Sequence, residues 1–168
     1  MIYKIIGSVL IICGTTIYGL SKAFVLNKRY KSLLKISSGL TVMENEMNYT
    51  CDCIDIILGR VASVIGMGEI FYDASVMNHD IPIKQRWKEA VNKSCPSLKL
   101  TENDCEIISF LGGELGMTDR DGQVKNINHV KSLINIQAAE AKSEYDNQSK
   151  MLRGLGITAG IFLVIILL

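Results

Sequence analysis

The stretch GLGITAGIFLVIILL, residues 154–168, contains no charged side chain and no proline. As a helix, these 15 residues would extend about 22 Å, which is marginal for a hydrocarbon core of about 30 Å. A buried core helix is the alternative for an apolar run this short. We predict a C-terminal transmembrane segment, because the run is aliphatic on every side and lies at the end of the chain.

A second apolar run, from Ile5 to Ser21, also contains no charged residue. Lys4 and Lys22 bracket it and can extend their ammonium groups toward the two membrane interfaces. A cleaved signal peptide would share the short basic start and the apolar run, but only a lone Ala23 is present where a small-x-small cleavage motif would be needed. We therefore predict a retained N-terminal transmembrane anchor over residues 1–26.

Basic side chains flank both apolar runs on the side that faces the middle of the chain. They are Lys22, Lys28, Arg29, Lys31 and Lys35 after the first run, and Lys142, Lys150 and Arg153 before the second. Since lysine and arginine are enriched on the cytoplasmic side of membrane segments, we predict that residues 27–153 form a cytoplasmic domain. The C-terminal transmembrane segment is then residues 154–168.

The middle of the chain is close to electrically neutral. Residues 27–153 hold all 17 acidic side chains and 16 of the 18 basic ones, since only Lys4 and Lys22 lie outside this range. A nucleic-acid-binding domain would present a basic stripe. We therefore expect no nucleic acid partner.

The five cysteines lie at positions 13, 51, 53, 95 and 105. An odd number in a cytoplasmic domain is most simply a set of free thiols that pack as small hydrophobes. Cys51 and Cys53 are spaced too closely for a usual zinc site, and no second pair or suitable histidine completes one. We predict no metal and no cofactor.

Apolar residues recur at helical intervals through the middle, and no strand alternation of useful length is present. This pattern predicts an all-α fold, with a cytoplasmic bundle of about six helices between the N- and C-terminal transmembrane helices. Trp87 is expected to anchor the core. Pro96 is expected to stop the helix that contains Trp87. Gly39 is expected to weaken the first helix by about 1 kcal/mol relative to alanine.

Two turn patterns predict where the last helices begin. Thr101–Asp104 resembles a capping box, and the helix that follows is expected to end at Gly116 in the left-handed conformation. Thr118–Asp121 is a second capping-box pattern, which predicts the start of a long helix that reaches Arg153.

We find no catalytic constellation in the sequence. His79 and His129 are the only histidines, and each is expected at the surface or at a boundary, because no nucleophile motif adjoins it. The glycine-rich residues 112–116 end a helix instead of joining a strand to one, so they lack the context of a phosphate loop. Asp119 and Asp121 could share a metal, but they lie where helix caps are expected. We predict that the protein is not an enzyme.

The run FLGGELGMTDRDGQ, residues 110–123, together with the two apolar ends, resembles the stage III sporulation protein AB family. In that family a Gly-x-x-Leu-Gly-x-x-Asp-Arg-x-x-Gln motif precedes the long last helix. The matching residues here are Gly112, Leu115, Gly116, Asp119, Arg120 and Gln123. The segment ENEMNY, residues 44–49, also fits, and the resemblance covers essentially the whole chain. The cysteine content departs from the family pattern.

The resemblance implies a non-enzymatic protein of the mother-cell membrane that faces the forespore. The family is similar to the platform components of type II secretion machines, which place helical bundles under the membrane beside a hexameric ATPase. This implies a scaffold or adaptor that docks a secretion-type ATPase and other sporulation channel proteins, without a small-molecule substrate. A membrane-tethered enzyme or signalling regulator with an unrecognised site is the alternative.

The resemblance leaves two roles open for the motif. It could build the turn between the last two helices. Alternatively, Asp119, Arg120 and Gln123 could present a polar surface to a partner subunit.

Overall fold

A computed structural model describes residues 2–50, 52–65, 68–77, 80–117 and 119–167, and all regular structure in these ranges is helical. The helices are α1 (Ile2–Tyr49), α2 (Ile54–Ile65), α3 (Asp73–Val76), α4 (Ile83–Leu98), α5 (Glu102–Glu114) and α6 (Arg120–Leu167), with a π-helical segment (Gly68–Tyr72) before α3. The prediction of an all-α fold with about six helices is confirmed. Three residues that figure in the sequence predictions lie outside the described residues: Cys51, His79 and Thr118.

In the part of the chain that the structure describes, no helix is long and apolar enough to cross a membrane. The transmembrane flanks at residues 1–26 and 154–168 stay predictions.

The chain divides into two compact units. The first consists of residues 1–30 and 140–168 and the second of residues 31–139.

In the first unit, an ion pair joins the α1 and α6 segments. The Nη1 atom of Arg29 lies 3.0 Å from Oε2 of Glu144, and the arginine side chain is almost completely buried. Many large apolar side chains of this unit are exposed instead of buried. They are Ile17, Tyr18, Leu20, Phe24, Val25, Met151, Phe162 and Ile165.

The core of the second unit is built around an aromatic pair. The rings of Trp87 and Phe71 meet edge to face with their centroids 5.5 Å apart, and both side chains are fully buried. The indole N–H of Trp87 donates to the carbonyl of Ile108 at 2.8 Å, so its one polar atom is satisfied. The prediction that Trp87 anchors the core is confirmed.

Gly39 of α1 packs against Phe71 of this aromatic pair. A Cβ atom at this position would lie 2.5 Å from the ring of Phe71, which is too close for any real contact. The glycine therefore has a packing role that offsets its cost of about 1 kcal/mol in helix propensity.

Arg86 of α4 is a buried charge with three partners. Its Nη2 atom lies 2.7 Å from Oδ1 of Asp55 in α2, and its side chain is 4% exposed. Its Nη1 and Nε atoms donate at 3.0 Å to the carbonyls of Ala74 and Ile81. This one guanidinium therefore joins α2, α3, α4 and the segment that leads into α4.

The expectation that Pro96 stops α4 is wrong, because the helix continues to Leu98. A proline near the end of a helix removes only one backbone donor. The last turn is completed by Lys99, which adopts the left-handed conformation (φ 59°) and donates its N–H to the carbonyls of Cys95 and Pro96. The capping box predicted at Thr101–Asp104 is confirmed, with reciprocal hydrogen bonds of 3.2 and 2.9 Å.

The expectation that the cysteines are free thiols is wrong for Cys95 and Cys105. They form a disulfide with their Cα atoms 6.3 Å apart. The turn between α4 and α5 brings the end of one helix beside the first turn of the next, which the sequence spacing alone did not reveal. Cys53 is a free and exposed thiol.

Candidate functional site

The motif at residues 112–123 forms the turn between α5 and α6, and its first three fixed positions have packing or backbone roles. A Cβ atom at Gly112 would lie 2.5 Å from Cδ1 of Trp87, so only glycine fits. Leu115 is buried in the core. Gly116 has φ of 75°, which confirms the predicted left-handed helix end, because side chains other than glycine rarely adopt this conformation.

Asp119 and Gln123 hold the same turn together. The carboxylate of Asp119 accepts a hydrogen bond from the N–H of Gly122 at 3.1 Å, as expected of a helix N-cap. The side-chain oxygen of Gln123 accepts from the N–H of Gly116 at 3.3 Å. Two of the three residues predicted as a partner surface therefore make hydrogen bonds within the turn.

Arg120 and Gln123 line a concave pocket of about 400 Å³, and Asp119 does not. This volume lies in the range of ligand pockets, about 300–1,000 Å³. The other lining residues are Met47, Thr50, Asp52, Ile54, Ile57 and Gly116. Sequence reasoning missed the contribution of α2. The ENEMNY segment, residues 44–49, was the only signal that pointed to this end of α1.

Two acidic residues near this pocket share one arginine as their ion-pair partner. The Nη1 atom of Arg60 lies 2.8 Å from a carboxylate oxygen of Glu46 and 2.7 Å from one of Asp52. The hydrogen bond to Glu46, followed by that to Asp52, raises the pKa of Arg60 above its ordinary value. Both carboxylates thus have a cationic partner, although one guanidinium offsets only one of their two negative charges.

Glu44 on α1 is neutralised by α6. Its carboxylate forms an ion pair with Lys131 and accepts a hydrogen bond from Asn128 at 2.7 Å. The hydrogen bond from Lys131, and next that from Asn128, lowers the pKa of Glu44 below its ordinary value. Glu44 and Glu46, the acidic residues of the 44–49 segment, therefore both pair with basic residues of the protein itself.

Arg120 differs from these charged groups. Its side chain is exposed, and it forms no hydrogen bond or ion pair with any other described residue. The wall of the pocket therefore contains a cation without a partner among the described residues.

No group of three or more histidine, cysteine, aspartate or glutamate residues suitable for a metal ion is present within the described ranges. His129 is exposed, and its ring lies 6.5 Å from that of Phe110. The prediction that His129 lies at the surface is confirmed.

Comparisons with known proteins agree in pointing to one family. The family model described as Stage III sporulation protein AB matches residues 4–168. The Stage III sporulation protein AB of Bacillus subtilis (strain 168) is 24% identical to this chain, over 98% of this chain and 99% of the relative. A solved structure of a Stage III sporulation protein AB is similar to 70% of this chain and 96% of its own, with a TM-score of 0.63 and 19% identity. The likeness in structure supports the helical fold.

Proposed function

The chain belongs to the stage III sporulation protein AB family, and we propose that it is a membrane-anchored scaffold of a secretion-like channel between the mother cell and the forespore. In this proposal the helical domain docks a secretion-type ATPase and other channel proteins to the membrane, and catalyses no reaction. A role related to sporulation follows from the family. The anchoring, the location and the ATPase partner are the proposed parts.

Two features of the chain ends support membrane anchoring. The apolar runs at residues 5–21 and 154–168 fall almost entirely within helices, because α1 begins at Ile2 and α6 ends at Leu167. Exposed apolar side chains accumulate in the unit formed by residues 1–30 and 140–168. Water disfavours a large exposed apolar surface, whereas lipid does not. We propose residues 1–26 and 154–168 as the membrane segments and residues 27–153 as the cytoplasmic domain.

The full-length chain is expected to stay in the membrane fraction when membranes are extracted with alkaline carbonate. Proteins bound to the bilayer surface by charge are released under such conditions, whereas helices embedded in the hydrocarbon are retained. The measurement is an immunoblot of pellet and supernatant, with a peripheral membrane protein as the control. Release of this chain into the supernatant would contradict the anchoring.

Chemical labelling of Cys53, the exposed free thiol, can determine on which side of the membrane the helical domain lies. In protoplasts of sporulating cells, a membrane-impermeant maleimide is expected to label Cys53 only after the membrane is permeabilised. Cys53→Ser measures the background from the other cysteines. The test matters because disulfides such as Cys95–Cys105 are rare in the cytosol. Equal labelling of intact protoplasts would overturn the cytoplasmic location.

The observation that carries the docking role is the pocket beside Arg120. Arginine is enriched at protein interfaces, and here an exposed Arg120, without a partner among the described residues, lines a concave surface together with Ile54 and Ile57. Core packing does not account for the exposed side chain of Arg120.

The scaffold is expected to co-purify with a secretion-type ATPase from sporulating cells. The measurement is affinity purification of the full-length tagged chain from solubilised membranes, followed by mass spectrometry. An unrelated tagged membrane protein, expressed at the same level, is the control. Recovery of neither an ATPase nor any other channel protein above that control would count against the scaffold role.

A further inference from the structure

A groove in the first unit lies at the end of the proposed N-terminal membrane segment. Its volume is about 570 Å³, within the range of ligand pockets, about 300–1,000 Å³. All of its lining residues fall within residues 17–27 of α1, except Tyr145 of α6. The groove therefore belongs entirely to the unit formed by residues 1–30 and 140–168, and we call it the α1 groove.

The α1 groove is apolar at one end and polar at the other. Exposed Ile17, Leu20 and Phe24 line its first part, and Asn27 lines the far end. Tyr145 lies near that far end, because its neighbour in sequence, Glu144, pairs with Arg29. The groove thus changes from apolar to polar in the direction that leads from the proposed membrane segment to the proposed cytoplasmic domain.

We propose that the α1 groove binds one anionic phospholipid. Part of an acyl chain lies along Ile17, Leu20 and Phe24, and the phosphate lies beside Lys28. The inference rests on the proposed membrane anchoring and deepens it by naming a lipid that the anchor holds.

Lys28 is the cation placed to bind the phosphate. It follows Ser21 by seven residues and Phe24 by four, so it lies on the face of α1 that lines the groove, about 6 Å beyond Phe24 along the helix. Its side chain is half-buried, and it forms no hydrogen bond or ion pair with any other residue that the structure describes. An ammonium group binds phosphate as a point charge.

The charge of this unit favours an anionic lipid over a zwitterionic one. Its three acidic side chains are all on α6, and one of them, Glu144, pairs with Arg29 at 3.0 Å. Its seven basic side chains are Lys4, Lys22, Lys28, Arg29, Lys142, Lys150 and Arg153. The net charge of residues 1–30 and 140–168 is therefore +4. The α1 wall itself carries basic side chains only, because no acidic residue precedes Glu44 in the sequence.

The side chains of the groove favour a lipid over a helix of another protein. Helices that pair inside a membrane meet through small residues, which let their backbones approach. Here the exposed side chains are large, and the small Ala23 between them is buried. The apolar lining from Ile17 to Val25 extends about 12 Å along the helix. This is close to the depth of one leaflet, about 15 Å or half of the hydrocarbon core.

The test uses the full-length chain in mixed micelles of dodecyl maltoside with equal amounts of phosphatidylglycerol and phosphatidylcholine, both with the same acyl chains. Native mass spectrometry measures which lipid stays bound. The wild type is expected to retain one phosphatidylglycerol in preference to phosphatidylcholine. Lys28→Glu is expected to lower this preference about tenfold, equivalent to about 1.4 kcal/mol, because the phosphate then meets a carboxylate.

Lys22→Glu is the matched control, because it changes the net charge of the same helix by the same amount. Lys22 precedes Phe24 by two residues and therefore lies on another face of α1, where its ammonium is 5.8 Å from the centre of the Tyr18 ring. This variant should keep the preference of the wild type. Lys28→Gln, which removes the charge without reversing it, should give an intermediate loss.

Ser21→Trp tests the groove without a change of charge. Ser21 lines the groove and is exposed, so an indole at this position is expected to occupy the space of the acyl chain. Retention of both lipids should fall in this variant. Circular dichroism should show wild-type melting temperatures for all four variants.

Equal retention of the two lipids by the wild type would overturn the inference, as would unchanged retention in Ser21→Trp. Equal loss of preference in Lys22→Glu and Lys28→Glu would show only a general attraction between a basic unit and anionic lipid. A lipid-free dimer of the wild type would show that a second copy occupies the groove. The assay needs neither a spanning helix nor a channel protein. Release by alkaline carbonate together with normal lipid retention would therefore contradict only the anchoring.

Discussion

Arg86→Ala is expected to lower the free energy of unfolding by about 3–5 kcal/mol, because it removes a buried cation together with one ion pair and two hydrogen bonds to backbone carbonyls. The guanidinium is 4% exposed and pairs with Asp55 at 2.7 Å. Its removal also leaves the carbonyls of Ala74 and Ile81 without the donors they have at 3.0 Å. The hydrogen bond to Ala74 is buried and that to Ile81 partly so, and the cost of leaving a buried acceptor unpaired, about 1–3 kcal/mol, is included in the expected total. Chemical denaturation of the wild type and the variant measures the difference.

Arg60→Ala is the matched control. Arg60 forms two ion pairs, at 2.8 and 2.7 Å, but its side chain is 44% exposed. Water solvates such pairs in both the folded and the unfolded chain, so their loss should destabilise the protein far less than the loss of Arg86. Equal destabilisation by the two variants would show that burial does not determine how much the interactions of Arg86 stabilise the fold. Arg86→Lys should recover little, because a single ammonium cannot reproduce the arrangement of three donors.

The helices could be predicted from the sequence because each depends on local signals. Apolar periodicity indicated the helices of the middle of the chain, the Thr101–Asp104 capping box gave the start of α5, and Gly116 gave its end. These features depend on residues within a few positions of one another. They are visible without knowledge of the tertiary structure.

Long-range contacts explain what the sequence did not reveal. Arg86 was not singled out, because its burial depends on Asp55 of α2 and on the carbonyl of Ala74. The Cys95–Cys105 disulfide depends on how two helices pack across a turn. In each case, sequence spacing does not show which elements lie beside each other.

The candidate site was predicted only in part for the same reason. The motif identified Asp119, Arg120 and Gln123 as a group, but only Asp119 and Gln123 make the hydrogen bonds of the turn. Asp119 and Gln123 stabilise the backbone, and Arg120 lies on the pocket wall with residues of α1 and α2. A motif records that residues occur together, while the structure is needed to assign each its role.

Adjacent glycines of α5 are expected to respond in opposite directions to the same substitution. A Cβ atom at Gly112 would lie 2.5, 2.8 and 2.9 Å from Cδ1, Cγ and Cβ of Trp87. Because one of these atoms is the Cβ of Trp87 itself, rotation of the indole cannot relieve the clash, and α4 and α5 must move apart. Overpacking of this kind costs about 1–3 kcal/mol, so Gly112→Ala should be clearly destabilising.

Gly113→Ala is the control, since its added Cβ would meet only the side chain of Lys84, at 4.0 Å. Alanine is favoured over glycine in a helix by about 1 kcal/mol, so this variant should be more stable than the wild type. We therefore expect unfolding free energies of the two variants that differ by about 2–4 kcal/mol, measured by urea denaturation. Near-UV circular dichroism of Trp87 should change in Gly112→Ala alone. If both alanine variants gained stability, the close packing of α4 on α5 at Gly112 would be disproved.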